Sequence, residues 1–154
     1  MLESAQAGLS WETILKKRKG YKKHFANFDP KRVARFSGRD VTRLLNLENP
    51  EIIRNRLKIE ATINNAKKFL MVQKEFGTFS KYQWSFVGDK TVVGRVRSIG
   101  DYKTTTAESD KMAKDMKRRG FKFLGSTTLY AHMQAVGMVN DHTVDCFRYK
   151  ELLN

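Results

Sequence analysis

The sequence predicts an all-α domain, and three observations support this fold class. Apolar residues recur at helical spacing through most of the chain, and the longest such run lies between Ile52 and Val72. Residues that cap helix starts stand before these runs, and glycines follow several of them. The alternation that marks a strand is nowhere long enough for a sheet. With 154 residues, the chain is expected to form one helical domain over residues 1–154.

The first half of the chain carries four signals for the start of a helix. Each places a side chain that can accept a hydrogen bond from first-turn N–H groups directly before an apolar periodic segment. From the last signal, one long helical period runs as far as Gly77, a residue type that commonly ends helices. The signals are Ser10 before a segment from Trp11 to about Lys23, Asp29 with Pro30, Ser37 with Asp40, and Asn49 with Pro50.

The second half begins with Thr78, the predicted cap of the aromatic segment FSKYQWSFVG. Residues 88–106 break the helical pattern with three glycines and scattered β-branched side chains. An irregular connection with room for a short hairpin is expected there. The last two predicted helices cover residues 107–119 and 127–136, and they end at Gly120 and Gly137.

The chain is strongly basic, with 30 Lys and Arg against 16 Asp and Glu and a net charge of +14. A positive field of this size favours a polyanionic partner. Nucleic acid is the leading candidate, and an anionic membrane surface is the alternative. No apolar run reaches the roughly 18 residues that a membrane span requires. The single cysteine excludes an internal disulfide and suits a reducing compartment, so a cytoplasmic protein is expected.

The segment KRRGFKFLGSTTLYAHMQAVG, residues 117–137, is the first candidate functional element, and we call it the hairpin element. It joins a basic helix end, a tight turn and a new helix. A helix start leaves N–H groups free to bind a phosphate, and glycine lets the backbone come close. An ordinary corner between two helices with a solvated basic rim fits the same letters. The predicted DNA-binding residues are Lys117, Arg118, Arg119, Gly120, Lys122, Phe123, Gly125, Ser126 and Thr127.

His142 and Cys146 form a candidate metal-ligating pair in the stretch NDHTVDC. Residues four apart share a face if the segment is helical, so both side chains could bind one metal ion. Two ligands are only half of a tetrahedral zinc site, and the sequence has no second cysteine. The spacing alone therefore favours a lone histidine and a half-buried thiol.

The opening stretch LESAQAGLSW combines a carboxylate, Glu3, with an indole, Trp11. A buried carboxylate near aromatic rings has a raised pKa and can act as an acid, a base or an acceptor for a nucleobase edge. An indole face can stack on a base, most strongly on a cationic one. The composition alone favours a simpler interpretation, in which Glu3 is solvated and Trp11 belongs to the core.

Five stretches, in this order, resemble one known family. They are LESAQAGLSWETILKKR, IIRNRLKIEATINNA, WSFVG, DKMAKDMKRRGFKFLGSTT and MQAVGMVNDHTVDC. Together they look like the 3-methyladenine DNA glycosylase I family, a bacterial branch of the helix–hairpin–helix glycosylases. The resemblance extends from Leu2 to about Cys146, which is nearly the whole chain.

The resemblance implies a monomeric, cytoplasmic, nucleoid-associated enzyme with a helix–hairpin–helix fold. It would flip 3-methyladenine out of alkylated double-stranded DNA and hydrolyse the N-glycosidic bond, leaving an abasic site. Glu3 would be the catalytic and base-binding residue, acting by electrostatic recognition, and Trp11 would stack on the base. The turn from Gly120 to Thr127 would hold the DNA backbone. Asp141 lies where related enzymes use an aspartate, but the resemblance assigns it no catalytic role.

The resemblance also implies a structural zinc ion, bound by a Cys–His pair near the start of the family's chains and a second pair near the end. His142 and Cys146 match the second pair. Family members carry a segment before the LESAQAGLSW stretch that supplies the first pair and pocket tyrosines, and this chain starts at that stretch. We therefore expect a half-site for zinc and an incomplete pocket. A non-catalytic helix–hairpin–helix DNA-binding fragment and a basic helical protein that binds acidic proteins are the alternatives.

Overall fold

A computed structural model describes residues 1–48 and 51–153 of the chain. Within these residues the fold is mostly helical, as the sequence predicts, and it contains one pair of two-residue strands. The helices are α1 (Leu2–Gln6), α2 (Trp11–Lys16), α3 (Arg18–His24), α4 (Pro30–Val33), α5 (Gly38–Leu45), α6 (Arg56–Phe76), α7 (Phe79–Trp84), α8 (Ala107–Arg118), α9 (Ser126–Ala135) and α10 (Phe147–Glu151). The strands are β1 (Val92–Val93) and β2 (Val139–Asn140).

The predicted caps begin α2, α4, α5 and α7. Ser10 Oγ accepts a hydrogen bond from a first-turn N–H of α2 at 3.2 Å. Asp29 Oδ1 accepts one from a first-turn N–H of α4 at 2.8 Å, and Thr78 Oγ1 accepts one in α7 at 3.0 Å. Ser37 and Asp40 form the expected capping box of α5. These starts are local, because each cap satisfies N–H groups within three residues of itself.

The segment predicted as one helix over residues 11–23 is two helices, α2 and α3, which meet at Lys17. The break brings α3 against the chain at Glu51. A Cβ atom added to Gly20 would lie 2.1 Å from the Glu51 carbonyl oxygen, so only glycine permits this contact.

The long helix α6 begins later than predicted. The signal at Asn49-Pro50 lies outside the described residues, and the helix starts at Arg56 instead. Asn55 is its cap, because its Oδ1 accepts a hydrogen bond from a first-turn N–H at 3.1 Å. Ile52 is fully buried although it lies before the helix begins. Its apolar side chain therefore fitted the predicted helical period because it belongs to the core, not because the residue is helical. The predicted end is confirmed, since Gly77 follows α6 with φ +80°.

Two clusters of buried residues share α6, and we call them the first core and the second core. The first core contains Ala5, Ile14, Tyr21, Phe25, Val33, Val41, Leu44, Ile52, Ile59 and Ile63. The second core contains Val72, Tyr82, Met112, Met116, Phe121, Leu129, Tyr130, Met133, Met138 and Val139. The N-terminal half of α6 packs in the first core and its C-terminal half in the second. This helix therefore connects the two.

The connection over residues 88–106 does not form a hairpin. Its strand β1 pairs in parallel with β2, which lies after α9, and Val92 is opposite Val139 in the register. An isolated bridge between Val96 and Thr143 continues the same pairing. The sequence pattern missed this small sheet because the two strands are short and distant along the chain.

The helices around the hairpin element agree with the prediction to within one residue. Helix α8 begins after Thr106, whose Oγ1 accepts a first-turn hydrogen bond at 3.3 Å. Gly120 and Gly137 follow α8 and α9 with φ values of +87° and +78°. Among the described residues, none of the helices combines the length and the apolar character needed to cross a membrane.

Candidate functional site

A cavity of about 550 Å³ opens at the junction of the two cores. Its volume lies within the range of roughly 300–1,000 Å³ that is typical of small-ligand sites. Both cores and one face of α6 contribute to its walls, which are mainly apolar. The lining residues on α6 are Thr62, Asn65, Ala66 and Phe69, and their spacing places them on the same side of the helix.

Glu3 lies on α1 and lines this cavity. The helix that carries it is attached to α6 by Lys58. Lys58 Nζ donates to the carbonyl oxygens of Ala5 at 2.9 Å and of Ala7 at 2.6 Å. These carbonyls belong to the end of α1, where a cation satisfies acceptors without helical partners and interacts favourably with the helix dipole. Contacts with α9 complete the packing of α1.

The Glu3 carboxylate has an unusual electrostatic environment. Burial raises the pKa of this carboxyl above its ordinary value, and the nearby Met1 amino group opposes that shift. No hydrogen-bond donor to the carboxylate is found in the part of the chain that the structure describes. An ionised carboxylate that is partly desolvated and accepts no hydrogen bond from the described residues favours a cationic ligand over a neutral one.

Two polar side chains of the cavity were not singled out from the sequence. The imidazole Nε2 of His132 lies 3.1 Å from Gln83 Oε1 and donates to it. Burial lowers the pKa of His132, which favours the neutral ring in this position. These residues lie on α9 and α7, so only the packing of the two helices makes them neighbours. No local signal in the sequence identifies such a pair.

Trp11 is not among the residues that line the cavity. It is the first residue of α2, and 39% of its surface is exposed. A turn through Gly8, with φ +76°, separates α1, which carries Glu3, from α2, which carries Trp11. The structure therefore does not bring the indole and the carboxylate together at the cavity. A stacking role for Trp11 stays a prediction from the resemblance.

The turn of the hairpin element presents free backbone donors. Gly120 has φ +87° and Phe123 has φ +55°, and this tight path leads directly into α9. The N–H groups of residues 123–128 have no acceptor within the described residues. Such an array of N–H groups at the start of a helix is suited to binding an anion. Phe121, Leu124 and Thr128 also line the cavity, so the donors lie at its edge.

Basic side chains surround this turn, but not all of them are available. Lys117 and Lys122 are exposed, and the Arg118 side chain is 76% exposed although it pairs with Asp115. Phe123 is 39% exposed, and Gly125 and Thr127 are exposed. This part of the predicted surface is therefore free for an external partner.

Arg119 occupies an internal position and is not free for a phosphate. Its Nε donates to Asp115 at 2.6 Å, and its two terminal nitrogens donate to Glu75 at 2.6 and 3.0 Å. The guanidinium also lies 5.0 Å from the ring centroid of Phe76 and 5.2 Å from that of Tyr82. These contacts join α8 to α6 and α7. This geometry favours a structural role for Arg119, and its DNA contact stays a prediction from the sequence.

Ser126 is similarly engaged through its side chain. Its hydroxyl donates to an Asp110 carboxylate oxygen and lies 2.7 Å from the Ser109 Oγ. The side chain therefore fixes the start of α9 against α8, whereas the backbone N–H of Ser126 has no acceptor among residues 1–48 and 51–153.

His142 and Cys146 lie close together, although on a turn rather than on the helix that their spacing suggested. The Cys146 Sγ is 3.8 Å from the His142 Nδ1. Tetrahedral zinc with ordinary bond lengths places a sulfur and a nitrogen ligand about 3.5 Å apart, so this pair fits one zinc ion. Over residues 1–48 and 51–153, no group of three or more His, Cys, Asp or Glu side chains could hold a metal.

The fold and the site together define a class of protein. An array of backbone N–H groups with basic neighbours is suited to a nucleic-acid backbone. An adjoining apolar cavity with a partly desolvated carboxylate is suited to a flat cationic group. Enzymes that act on a base turned out of the DNA stack combine these two features.

Comparisons with known proteins identify the family. The model of the methyladenine glycosylase family matches residues 1–149. The chain is 45% identical over 148 residues to DNA-3-methyladenine glycosylase 1 of Escherichia coli, and the match covers 96% of this chain and 78% of the relative. The chain belongs to the methyladenine glycosylase family.

Solved structures agree with this assignment. A crystal structure of a 3-methyladenine DNA glycosylase I superposes with a TM-score of 0.89 at 46% identity, covering 95% of this chain and 79% of the other. The enzyme from Staphylococcus aureus, whose structure describes the basis of 3-methyladenine recognition, superposes with a TM-score of 0.89 at 38% identity. That match covers 95% of this chain and 77% of the other. The predicted all-α helix–hairpin–helix glycosylase fold is thereby confirmed.

Proposed function

We propose that this chain is a DNA glycosylase that removes 3-methyladenine from alkylated double-stranded DNA. The observation that supports this most strongly is the shared wall between the cavity and the hairpin element, formed by Phe121, Leu124 and Thr128. A nucleotide whose phosphate binds the free N–H groups can place its base in the cavity, where Glu3 lies. The family is named for methyladenine, and the two relatives from Escherichia coli and Staphylococcus aureus are named as glycosylases of 3-methyladenine.

The hairpin element holds the duplex without reading its sequence. Its N–H groups and the exposed Lys117, Arg118 and Lys122 bind phosphate oxygens, which are the same at every base pair. Binding of this kind releases counterions and weakens steeply as salt rises. The enzyme can therefore sample many sites and leave the discrimination to the cavity.

The cavity recognises the charge of the damaged base. Methylation at N3 makes the adenine cationic, and the Glu3 carboxylate attracts it. Two unit charges about 4 Å apart attract by roughly 4 kcal/mol at an effective dielectric constant near 20, a gain that neutral adenine lacks. Turning a base out of the stack costs a few kcal/mol and costs less for a damaged one. The charge difference is therefore large enough to decide which bases remain in the cavity.

Release of the base requires little chemical assistance. When the bond between C1′ and N9 breaks, its electron pair stays on the base, which leaves as neutral 3-methyladenine. Water adds to C1′ through its oxygen and gives its proton to solvent, which leaves an abasic site and an intact strand. Because the leaving group is already activated by its charge, Glu3 acts through electrostatic recognition rather than as a general base.

Asp141 takes no part in this scheme. Its carboxylate accepts hydrogen bonds from the Tyr130 hydroxyl and, at 2.9 Å, from the Gln134 amide. It is absent from the cavity wall and lies beside Gly94, where a Cβ would come within 2.3 Å of its Oδ1. These hydrogen bonds support a structural role in holding the chain after β2 against α9.

An assay of base release tests the proposal directly. The full chain is incubated with a duplex that contains 3-methyladenine, and the released base is measured against undamaged duplex. Release of 3-methyladenine supports the proposal. Salt-dependent duplex binding without release would favour the non-catalytic DNA-binding alternative. If neither binding nor release occurs, both DNA-based functions are contradicted in favour of an acidic protein partner.

Two glycines of the hairpin element provide a matched pair of variants. No atom lies within 4 Å of a Cβ added to Gly125, whose φ is −76°. The Gly125→Ala variant should therefore fold normally but bind duplex roughly tenfold more weakly, because the methyl group stands where a phosphate approaches. The measurement is duplex affinity by fluorescence anisotropy, with thermal unfolding alongside.

The Gly120→Ala variant should instead lose folding stability. At φ +87°, with Lys68 Cε 3.0 Å from the added Cβ, it should lose about 1–2 kcal/mol of folding stability. Unchanged duplex affinity in Gly125→Ala would contradict the assignment of the turn as the phosphate-binding surface.

We also propose that His142 and Cys146 contribute to a structural zinc site. The two side chains lie on one turn and supply half of a tetrahedral site, and a zinc ion bound there supplies no reacting group. Two protein ligands bind zinc more weakly than a complete tetrahedral site, so the wild-type protein is expected to hold zinc only in equilibrium with a zinc-containing dialysis buffer, and His142→Ala and Cys146→Ser should each lower that content at least tenfold. Elemental analysis after dialysis provides the measurement, with His24→Ala as the control that keeps its metal. Wild-type protein free of zinc would contradict this proposal.

We propose, finally, that the protein acts as a monomer at the nucleoid in the bacterial cytoplasm. The bacterial relatives and the net charge of +14 support this placement. Light scattering at working concentration should give the mass of one chain, and a dimer mass would contradict the monomer.

A further inference from the structure

The contacts of α6 point to a role that neither the sequence nor the comparisons assign. Asn65 on this helix forms two hydrogen bonds with a single residue of the hairpin element. Its Oδ1 accepts from the Lys122 N–H at 2.8 Å, and its Nδ2 donates to the Lys122 carbonyl oxygen at 2.8 Å. Asn64 adds a third bond, from its Nδ2 to the Gly120 carbonyl oxygen at 2.8 Å. The amides of α6 thus bind the backbone of the turn itself.

The hairpin turn has supports for its shape besides these bonds. Phe121 is buried in the second core, and the positive φ of Gly120 sets the path of the chain. A paired acceptor and donor on one backbone residue fix its position and orientation relative to α6. The bonds from Asn65 therefore fix the turn relative to α6, in addition to the packing of Phe121.

Lys58, nearer the start of α6 on the same face, binds the helix that carries Glu3. Lys58 donates to the carbonyl oxygens at the end of α1, as described above. Lys58 and Asn65 are separated by seven residues, about two helical turns or roughly 10 Å along the axis, and they lie on one side of α6. Thr62, between them, lines the cavity, as does Asn65 itself.

We propose that Lys58 and Asn65 are positioning residues that set the distance between the base-recognising carboxylate and the phosphate-binding turn. A base turned out of the duplex reaches Glu3 correctly only if its own phosphate is held at the matching distance. One rigid helix carries both attachments, so this distance is independent of the loops that connect them. This inference rests on the proposed glycosylase function.

Kinetics of base release distinguish positioning from simple binding. Misplacement of a reacting group by about 1 Å can reduce a rate roughly 100-fold. Asn65→Ala removes no charge, so we expect affinity for undamaged duplex and its salt dependence to stay within threefold of wild type. The single-turnover rate of 3-methyladenine release should fall 10- to 100-fold. Lys58→Met should lower that rate to a similar degree, and Lys58→Arg, which can still donate to the carbonyls of α1, should recover most of it.

The control is Asn46→Ala, an exposed asparagine at the end of α5 that lies outside the cavity wall and should release base at the wild-type rate. Asn65→Ala activity equal to wild type would overturn the inference. Loss of duplex affinity by the same factor as the rate would also overturn it, because Asn65 would then only maintain the turn. If the wild-type protein releases no base, the proposed glycosylase function itself is contradicted. Failure of the positioning inference alone would appear as normal release by the wild-type protein and by the Asn65→Ala variant. Lys58→Met provides the same test if Asn65→Ala does not fold.

Discussion

Glu3→Gln should lower kcat/KM for release of 3-methyladenine by roughly 100-fold, the largest catalytic effect that the structure predicts. Glutamine preserves the size and a hydrogen-bonding oxygen but removes the charge that favours a cationic base. Duplex affinity should not change, because the hairpin element keeps all of its donors. Folding stability should not fall either, since the partly buried carboxylate has no donor within the described residues that the change could leave unpaired.

The pH dependence of base release also tests whether the charge of Glu3 recognises the base. Burial raises the pKa of Glu3, so acidification neutralises it at a higher pH than an exposed glutamate. Wild-type activity should therefore decline as pH falls through that raised pKa, whereas the Gln variant should show no decline from this group. Full activity in Glu3→Gln would show that the carboxylate does not recognise the base.

Arg119→Met should produce the largest loss of stability, about 2 kcal/mol, or roughly 4–8 °C in Tm for a chain of this length. Methionine retains the apolar stem but loses the ion pair with the largely buried Asp115 and the contacts over the Phe76 and Tyr82 rings. Removing one partner of a fully buried pair costs about 3–5 kcal/mol. Because the Arg119 side chain is still 21% exposed, the smaller value is expected.

Arg118→Met is the matched control, one residue earlier in the chain. Its side chain is 76% exposed, so the change should alter stability by less than about 0.5 kcal/mol and weaken duplex binding instead. Burial raises the pKa of Asp115, but the hydrogen bonds from Arg119, Arg118 and Tyr82 outweigh it and lower the pKa below its ordinary value, with Arg119 making the largest of these contributions. Their stabilising contribution is present above the ordinary pKa of an aspartate and is lost as pH falls through the lowered one, so wild type and Arg119→Met should converge in acid. Equal stability of both variants at neutral pH would contradict the structural role.

The sequence predicted the features whose causes are local. Ser10, Ser37 and Thr78 cap helices because the groups that they satisfy lie within one turn. Gly120 and Gly137 end helices because glycine adopts positive φ without strain. Such signals can be recognised in any sequence, whereas the base-binding role predicted for Glu3 came from the family resemblance.

Features that arise from packing between distant segments could not be predicted in this way. Arg119 looks like its basic neighbours in the sequence, and only the arrival of Glu75 from α6 shows that it is internal. The pairing of β1 with β2 depends on the path of the chain after α9. The contact between Gln83 and His132 similarly requires α7 and α9 to be in place.

The location of the cavity between two separately packed cores affects how a ligand enters. A ligand can occupy this cavity without displacing the buried side chains of either core, because a space of about 550 Å³ already exists between them. Inspection of a base can therefore be quick and reversible, since no part of the interior has to be dismantled and rebuilt for each attempt. The folding stability of the two cores and the rate at which the enzyme tests bases along a genome are then separate properties, and mutations can change one without the other.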